Sequence, residues 1–209
     1  MKHEWRKKEK QVYLPKARPE QINIPAYNFL TISGKGNPNN PEFAEYIGAL
    51  YPICYGIKMG LKKNPVLDNY YDYTVYPLEG VWDISDEAKK TYQENTKLNK
   101  DDLVFTLMIR QPDFVTEKYA LDVIEQAKIK KPNPLFDKVK FQKIIEGNCI
   151  QMLHIGSYDN EPATFKIMEE FANNQGLQRD SKVHREIYLS DFRKIAPEKL
   201  KTVLRFKLK

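Results

Sequence analysis

The same order of structural signals occurs twice in the chain. Thr31–Gly34 is a strand-like run that ends in glycine, and Asn40–Glu42 then opens a helix with proline in its first turn. Leu153–Gly156 and Asn160–Pro162 repeat this arrangement, and proline is favoured at the start of a helix. Each helix is followed by two more strand-like runs. Because an internal repeat predicts a repeated structural unit, we expect two strand-helix-strand-strand modules related by a pseudo-two-fold axis.

The repeat predicts an α+β fold in one domain, with antiparallel sheets flanked by helices and a central ligand cleft between the modules. We assign residues 1–20 to an N-terminal arm, 21–115 to the first module and 116–209 to the second. The predicted strands are residues 21–33, 72–82, 103–110, 139–146, 149–155, 183–191 and 202–208, and predicted helices begin near residues 41, 116 and 161. Gly147-Asn148 predicts a tight hairpin between two of these strands, and residues 85–100 are predicted as a helix or a loop.

Composition indicates a globular protein. Hydrophobic residues make up 41% of the chain and charged residues 30%, and no apolar run reaches the roughly 20 residues that a membrane helix needs. The N-terminus lacks the apolar segment of a secretion signal, and Cys54 and Cys149 lie in apolar segments typical of free buried thiols. We therefore expect a cytoplasmic protein with no membrane partner, either monomeric or weakly dimeric.

The charge pattern and the motifs argue against several classes of function. The net charge of +6 is spread along the chain and forms no basic stripe, so we expect no direct nucleic-acid partner. His3, His154 and His184 lack the spacing of metal ligands. No glycine-rich phosphate loop or Gly-x-Ser-x-Gly turn is present. We expect neither a metal nor a cofactor.

The stretch Val183–Asp191 carries the best candidate for a chemical role. With the two-residue period of a strand, one face holds Val183, Ile187 and Leu189 with Arg185 as a charged exception, and the other holds His184, Glu186 and Tyr188. If the second face meets water, it is an ordinary solvated strand surface. If it meets a cleft, Glu186 becomes the centre of a binding or catalytic site, since burial would bring its carboxylate into the range of a general base.

An aromatic stretch, Tyr70–Trp82, offers possible walls for such a cleft. Cross-strand packing is one interpretation of its tyrosines, and a flat wall for an aromatic or cationic ligand is the other. Gly80, between Glu79 and Trp82, predicts a bulge that would redirect side chains. Phe105 is expected in the core, while Met108 and Phe114 are candidates for either environment.

Several short motifs together resemble the GyrI-like small-molecule-binding family. They are Leu14–Lys16, Pro19-Glu20, Gly34–Pro38, Pro77–Trp82 and Glu186–Asp191, and their order covers residues 12–209. The resemblance implies the two-module fold with a central cleft. In the drug-sensing domains of MerR-type regulators, which belong to this family, a buried glutamate binds cationic aromatic drugs. Glu186 matches that glutamate.

The N-terminus departs from those regulators. Fewer than about twenty residues precede the first predicted strand, which is too few for a helix-turn-helix module. The chain therefore resembles a stand-alone member, and it is similar to the branch that hydrolyses the cyclopropane ring of DNA-alkylating natural products. In that chemistry a glutamate positions or deprotonates water, and a tyrosine hydrogen-bonds the developing phenolate.

The resemblance implies the role of Glu186, whereas the roles of Tyr71, Trp82 and Phe114 rest on residue type and placement more than on an aligned motif. Glu186 and Tyr71 are the catalytic candidates. The ligand-binding candidates are Trp82, Tyr55, Glu79, Phe105, Met108, Phe114, His184 and Tyr188. The expected partner is a flat hydrophobic or cationic aromatic small molecule, which the protein either hydrolyses or binds without reaction. Inhibition of a topoisomerase through protein contacts is a third family function and the least favoured.

Overall fold

Eight antiparallel strands form a single sheet in the computed structural model, which describes residues 2–92 and 98–209. The strands are β1 Glu20–Ile24, β2 Tyr27–Lys35, β3 Leu78–Ile84, β4 Leu103–Gln111, β5 Lys140–Ile144, β6 Gly147–Ile155, β7 His184–Tyr188 and β8 Lys201–Lys207. The helices are α1 Trp5–Lys8, α2 Lys10–Tyr13, α3 Pro41–Lys63, α4 Asp86–Thr91, α5 Glu117–Lys130 and α6 Glu161–Asn174. The predicted strand-helix-strand-strand order thus occurs twice, as β2-α3-β3-β4 and β6-α6-β7-β8.

The sheet curls round on itself. Its strand order is β1-β6-β8-β7-β3-β4-β2-β5. β1, at one end of this order, continues along the chain into β2 near the other end. In the same way β5, at that other end, continues into β6 beside β1. The β1–β6 pairing ends at Ile24 opposite Gly147, and the β2–β5 pairing resumes in the same register at Tyr27 opposite Ile144. Two long, kinked strands, β1-β2 and β5-β6, therefore run along each other and close the sheet into a barrel-like ring.

Two helices cover the outer face of this ring. α3 begins at Pro41, with Glu42 in its first turn and Lys62 and Lys63 in its last, an arrangement that suits the helix dipole. It packs on β2 and β4, whereas α6 packs on β6. Fully buried side chains such as Ile53 fill the space beneath α3. Each of them stabilises the fold by about 2 kcal/mol of transfer free energy from water. The central strands β3 and β7 lie between the two helices.

The N-terminal arm covers the inner face. Trp5 and Tyr13 are buried in the main core, so the arm is part of the fold. Below it lies a network of buried charges in which Arg185 Nη1 is 2.6 Å from Glu79 and Arg205 Nη1 is 2.8 Å from Glu146. Arg185, the charged exception on the apolar face of its strand, is thus explained by carboxylates on other strands.

Three local predictions were wrong. The predicted strand at residues 72–82 begins only at Leu78, because Tyr73 and Tyr76 instead bury their rings in the core and Pro77 has no N–H for a ladder. Gly147-Asn148 does not form a hairpin, since β5 pairs with β2 and β6 pairs with β1 and β8. Gly80 does not form a bulge, because β3 keeps continuous register with both of its neighbours.

The prediction for the cysteines is confirmed. Both cysteines are free and buried. Every helix in the described ranges is too short or too polar to cross a lipid bilayer. In the segment predicted as a helix or a loop, α4 is followed by a short turn at Lys100–Asp102, and residues 93–97 lie outside the described part of the chain.

Candidate ligand-binding site around Glu186

The candidate site lies on the outer face of the central strand pair. Gly80 of β3 pairs with Glu186 of β7, and Trp82 pairs with His184. Directly opposed residues of an antiparallel pair point to the same face, so these residues share the surface between α3 and α6. The alternating pattern of Val183–Asp191 placed Glu186 correctly on the face opposite Ile187.

Glu186 is buried and hydrogen-bonded. Only 8% of the residue is exposed. The Nε2 atom of His184 lies 3.3 Å from its Oε1 atom, and the side chains of Tyr188 and Glu161 lie close enough for Glu186 to raise the pKa of both. Among the described residues, no lysine or arginine forms an ion pair with Glu186. Its surroundings therefore differ from those of Glu79 and the other carboxylates paired with arginines on the inner face.

Glu161 is a member of the site that the sequence did not identify. It is the first residue of α6, where an acid favours the helix dipole and needs no further explanation. In the structure it is 6% exposed and lies against Glu186. Burial, followed by the charge of Glu186 and the hydrogen bond to it, raises the pKa of Glu161 well above its ordinary value. Glu161 therefore holds a proton more readily than an exposed glutamate does.

Aromatic side chains surround the carboxylates. Trp82 Nε1 donates a hydrogen bond of 2.8 Å to the Tyr188 hydroxyl, and the Trp82 ring packs on Phe43 and Phe105 at 5.7 and 5.4 Å between centroids. Burial and the nearby Glu186 carboxylate raise the pKa of Tyr188 well above its usual range. The phenol therefore stays protonated and can donate to Glu186.

Tyr158 extends this aromatic wall. Its ring meets that of Tyr188 edge-on at 6.1 Å, and it lies in the short turn just before α6. Burial and then the charges of Glu186 and Glu161 raise the pKa of Tyr158 to about 12. Its hydroxyl is thus a hydrogen-bond donor at the edge of the site, which the sequence analysis did not single out.

Gly80 leaves room for the Trp82–Tyr188 hydrogen bond. A Cβ atom at this position would lie 2.8 Å from Trp82 Nε1 and 3.0 Å from the Tyr188 hydroxyl oxygen, which is closer than these atoms can approach without moving. The absence of a side chain opposite Glu186 therefore lets the tryptophan and the tyrosine meet above the strand.

Two of the predicted ligand-binding residues lie on the inner face instead. Glu79 and Met108 pair with each other across β3 and β4 and are both buried. Burial raises the pKa of Glu79, although the nearby Arg185 opposes this effect. Met108 lines a separate cavity of about 450 Å³, together with Val81, Thr106, Gln142, Ile144 and Arg185. Neither residue shares the outer face with Glu186, because neighbouring residues of a strand alternate between faces.

Tyr71 and Phe114 belong to a different cluster. Their rings meet edge-on at 4.8 Å, and His3 lies 5.3 Å from the Tyr71 ring. These contacts join Tyr71 to the N-terminal arm and not to Glu186 or Trp82. The catalytic role predicted for Tyr71 and the wall role predicted for Phe114 therefore remain predictions that these contacts do not support.

Tyr55 is separated from the carboxylates as well. It projects from α3 with 51% of the residue exposed and stacks on Tyr51 at 6.4 Å. Burial raises the pKa of Tyr51 to about 12, with a smaller effect from Asp191 of the β7–β8 connection. Of the predicted residues, the structure thus brings together Glu186, His184, Tyr188 and Trp82, with Phe105 behind them.

Comparison with known proteins identifies the fold family. The crystal structure of a hydrolase from Listeria innocua is 39% identical to this chain, covers 99% of it over its own full length and superposes with a TM-score of 0.86. An uncharacterized conserved protein from Listeria innocua is also 39% identical, with the same coverage and a TM-score of 0.88. The C-terminal domain of EcmrR, at 16% identity, 95% and 98% coverage and a TM-score of 0.53, shares the fold alone.

No match was found among curated proteins. The model of one protein family, described as the GyrI-like small molecule binding domain, matches residues 18–209. This match covers nearly the whole chain and agrees with the curled α+β architecture. The chain therefore belongs to the GyrI-like small molecule binding domain family.

Proposed function

We propose that the protein binds a flat hydrophobic or cationic aromatic molecule against Glu186 and hydrolyses it. The observation that carries the proposal is the buried carboxylate of Glu186, which has aromatic neighbours and no arginine or lysine partner in the described part of the chain. A buried carboxylate without a cationic partner attracts a cation or polarises a water molecule. The apolar rings of Trp82 and Tyr188 favour a flat ligand through stacking and cation–π contacts.

The relatives favour hydrolysis over binding alone. Proteins that are 39% identical over nearly the whole chain are described as hydrolases. We extend this activity to a substrate class that fits the site, namely compounds in which a cyclopropane ring is fused to a conjugated dienone. DNA-alkylating compounds of this kind are flat and hydrophobic, and water can open their ring.

The reaction needs a base and a hydrogen-bond donor. Glu186 takes a proton from water as its oxygen forms a bond to the cyclopropane CH₂ carbon. The C–C bond of the ring breaks, and its electron pair moves through the conjugated system to the carbonyl oxygen, which becomes a phenolate and then takes up a proton. We assign the donor to that oxygen to Tyr158, because its protonated hydroxyl lies near the site on the edge of the aromatic wall.

The proposal is tested by incubating the purified protein with a cyclopropane-bearing DNA alkylator in ¹⁸O-labelled water. Mass spectrometry should show a product that has gained one labelled water molecule. Glu186→Gln keeps the shape of the side chain but removes the base, so it should abolish this product. Glu170→Gln, on the exposed side of α6, is the matched control and should leave turnover unchanged.

Two results would overturn the proposal in different ways. Tight binding with an unchanged compound would replace hydrolysis by sequestration of the ligand. Full turnover by the Glu186→Gln variant would remove Glu186 from the chemistry.

A further inference from the structure

We propose that Glu161, His184 and Glu186 together bind a divalent transition-metal ion of the zinc class. One nitrogen or oxygen atom from each side chain lies within 4.8 Å of those of the other two. Around such an ion, with bonds of about 2.0–2.2 Å, neighbouring ligand atoms are roughly 3–4 Å apart. His184 Nε2 and Glu186 Oε1, at 3.3 Å, already have this spacing, and the Glu161 carboxyl, within 4.8 Å of both, would complete the set.

The imidazole of His184 is oriented as a metal ligand would be. Its Nδ1 atom lies 3.2 Å from the backbone carbonyl oxygen of Lys182, which can only accept a hydrogen bond. A neutral imidazole with its proton on Nδ1 satisfies this carbonyl and turns the lone pair of Nε2 towards Glu186, which is the arrangement in which His184 can bind an ion. A backbone carbonyl that fixes the tautomer in this way is the usual support for a histidine that coordinates a metal.

An unpartnered carboxyl oxygen provides an independent observation. Glu161 is 6% exposed, and its Oε1 atom is buried without a hydrogen-bond partner in the described structure. Buried polar atoms are rarely left without a partner, and such an atom is often explained by an ion or a water molecule. Here it belongs to a carboxyl group next to a second carboxyl and an imidazole lone pair, a set of electron donors that a cation would satisfy.

The donor set indicates the class of ion. An imidazole nitrogen favours zinc and neighbouring first-row metals, whereas magnesium and calcium favour sites made of oxygen atoms alone. Two carboxylates and one histidine would also leave a coordination position open for a water molecule or a ligand. The sequence did not suggest this site because its ligands come from β7 and from the start of α6, without the short spacing of a metal motif.

The test is calorimetric titration of metal-free protein with zinc chloride, which does not depend on the organic ligand proposed above. One ion should bind per chain. Glu161→Gln and His184→Gln should each weaken binding at least about ten-fold, while Glu170→Gln should bind as the native chain does. Circular dichroism without metal establishes that each variant is folded, and Glu161→Gln alone suffices if His184→Gln does not fold.

Cobalt(II) provides a spectroscopic test of the same ligands. A cobalt-loaded site made of two carboxylates and an imidazole should show visible d–d bands without the near-ultraviolet bands of a thiolate ligand. The proposal is overturned if the native chain binds no zinc, if Glu161→Gln binds it with unchanged affinity, or if thiolate bands show that a cysteine holds the ion. The hydrolysis experiment is run on metal-free protein, in which Glu186 is available as the base, so any of these results leaves its outcome unaffected.

Discussion

Replacing Gly80 by alanine tests how tightly the site is built. The new Cβ atom would lie 2.8 Å from Trp82 Nε1 and 3.0 Å from the Tyr188 hydroxyl oxygen. Neither group can move freely, because the tryptophan packs on Phe43 and Phe105 and the Tyr188 ring packs on Tyr158. The two side chains must therefore separate, and their 2.8 Å hydrogen bond is lost.

The size of the effect follows from three contributions. Overpacking a buried site destabilises a protein by about 1–3 kcal/mol, and loss of the hydrogen bond adds about 1 kcal/mol. Alanine offsets about 0.5–1 kcal/mol of this, because it loses less backbone entropy on folding than glycine. We expect a net loss of about 1–3 kcal/mol in the free energy of unfolding, which for a chain of this size lowers Tm by roughly 2–12 °C.

Thermal unfolding followed by circular dichroism measures this change, and tryptophan fluorescence reports the displacement of Trp82. Gly48→Ala is the matched control, because Gly48 lies in α3 and a Cβ atom there meets nothing within 4 Å apart from its own stretch of helix. The control should stabilise the protein by about 0.5–1 kcal/mol. If Gly80→Ala melts at or above the native temperature with unchanged fluorescence, the close packing described here is wrong.

Three further predictions concern other parts of the molecule. Burial alone would raise the pKa of Glu9, but the Arg110 guanidinium and hydrogen bonds from neighbouring side chains outweigh it and hold this pKa below its usual value of 4.5. The ionised Glu9 therefore stabilises the fold above that pH. In urea unfolding, the native chain should be about 2 kcal/mol more stable than Glu9→Gln at neutral pH, and this difference should shrink as the pH falls through the lowered pKa. A difference that does not change with pH would contradict this. Tyr158→Phe should slow hydrolysis of the cyclopropane compound at least about ten-fold by removing a hydrogen-bond donor, whereas Tyr71→Phe should change the rate little. A larger rate loss for Tyr71→Phe than for Tyr158→Phe would restore Tyr71 as the catalytic tyrosine. Burial raises the pKa of Cys54 to about 12. Iodoacetamide should therefore leave this thiol unlabelled in the native protein at neutral pH and label it in urea, as measured by peptide mass spectrometry. Rapid labelling of the native protein would show that the core opens easily.

The fold was predictable where local signals decide the structure. Proline, glycine and the spacing of apolar residues located α3 and α6, and the two-residue period placed Glu186 and Ile187 on opposite faces. The predicted hairpin at Gly147-Asn148 failed because a strand's partner is chosen over long range. Gly147 has a φ of 73°, as a tight turn would require, yet the chain passes through a kink and continues, because β2 and β1 offer partners on either side of it.

The site was predictable only in part, for a related reason. The set Glu186, His184, Tyr188 and Trp82 follows from alternation along two strands. Glu161 does not, because it comes from the start of a helix and meets Glu186 only when α6 packs on the sheet. Glu79 was misplaced for the opposite reason, since it is adjacent in sequence to Gly80 but points to the other face, towards an arginine 106 residues further along the chain.

The kinked ladder that closes the sheet also determines when the protein can fold during synthesis. Glu20 of β1 pairs with Gln151 of β6, and Thr31 of β2 pairs with Lys140 of β5. β1 must therefore wait for a partner made more than a hundred residues later, and β2, although β4 pairs with one of its edges, waits as long for β5 on the other. Contacts between such distant segments close large loops and slow folding. During this interval the apolar strand β2 is exposed at an open edge, which makes the nascent chain dependent on protection from aggregation until β5 and β6 emerge.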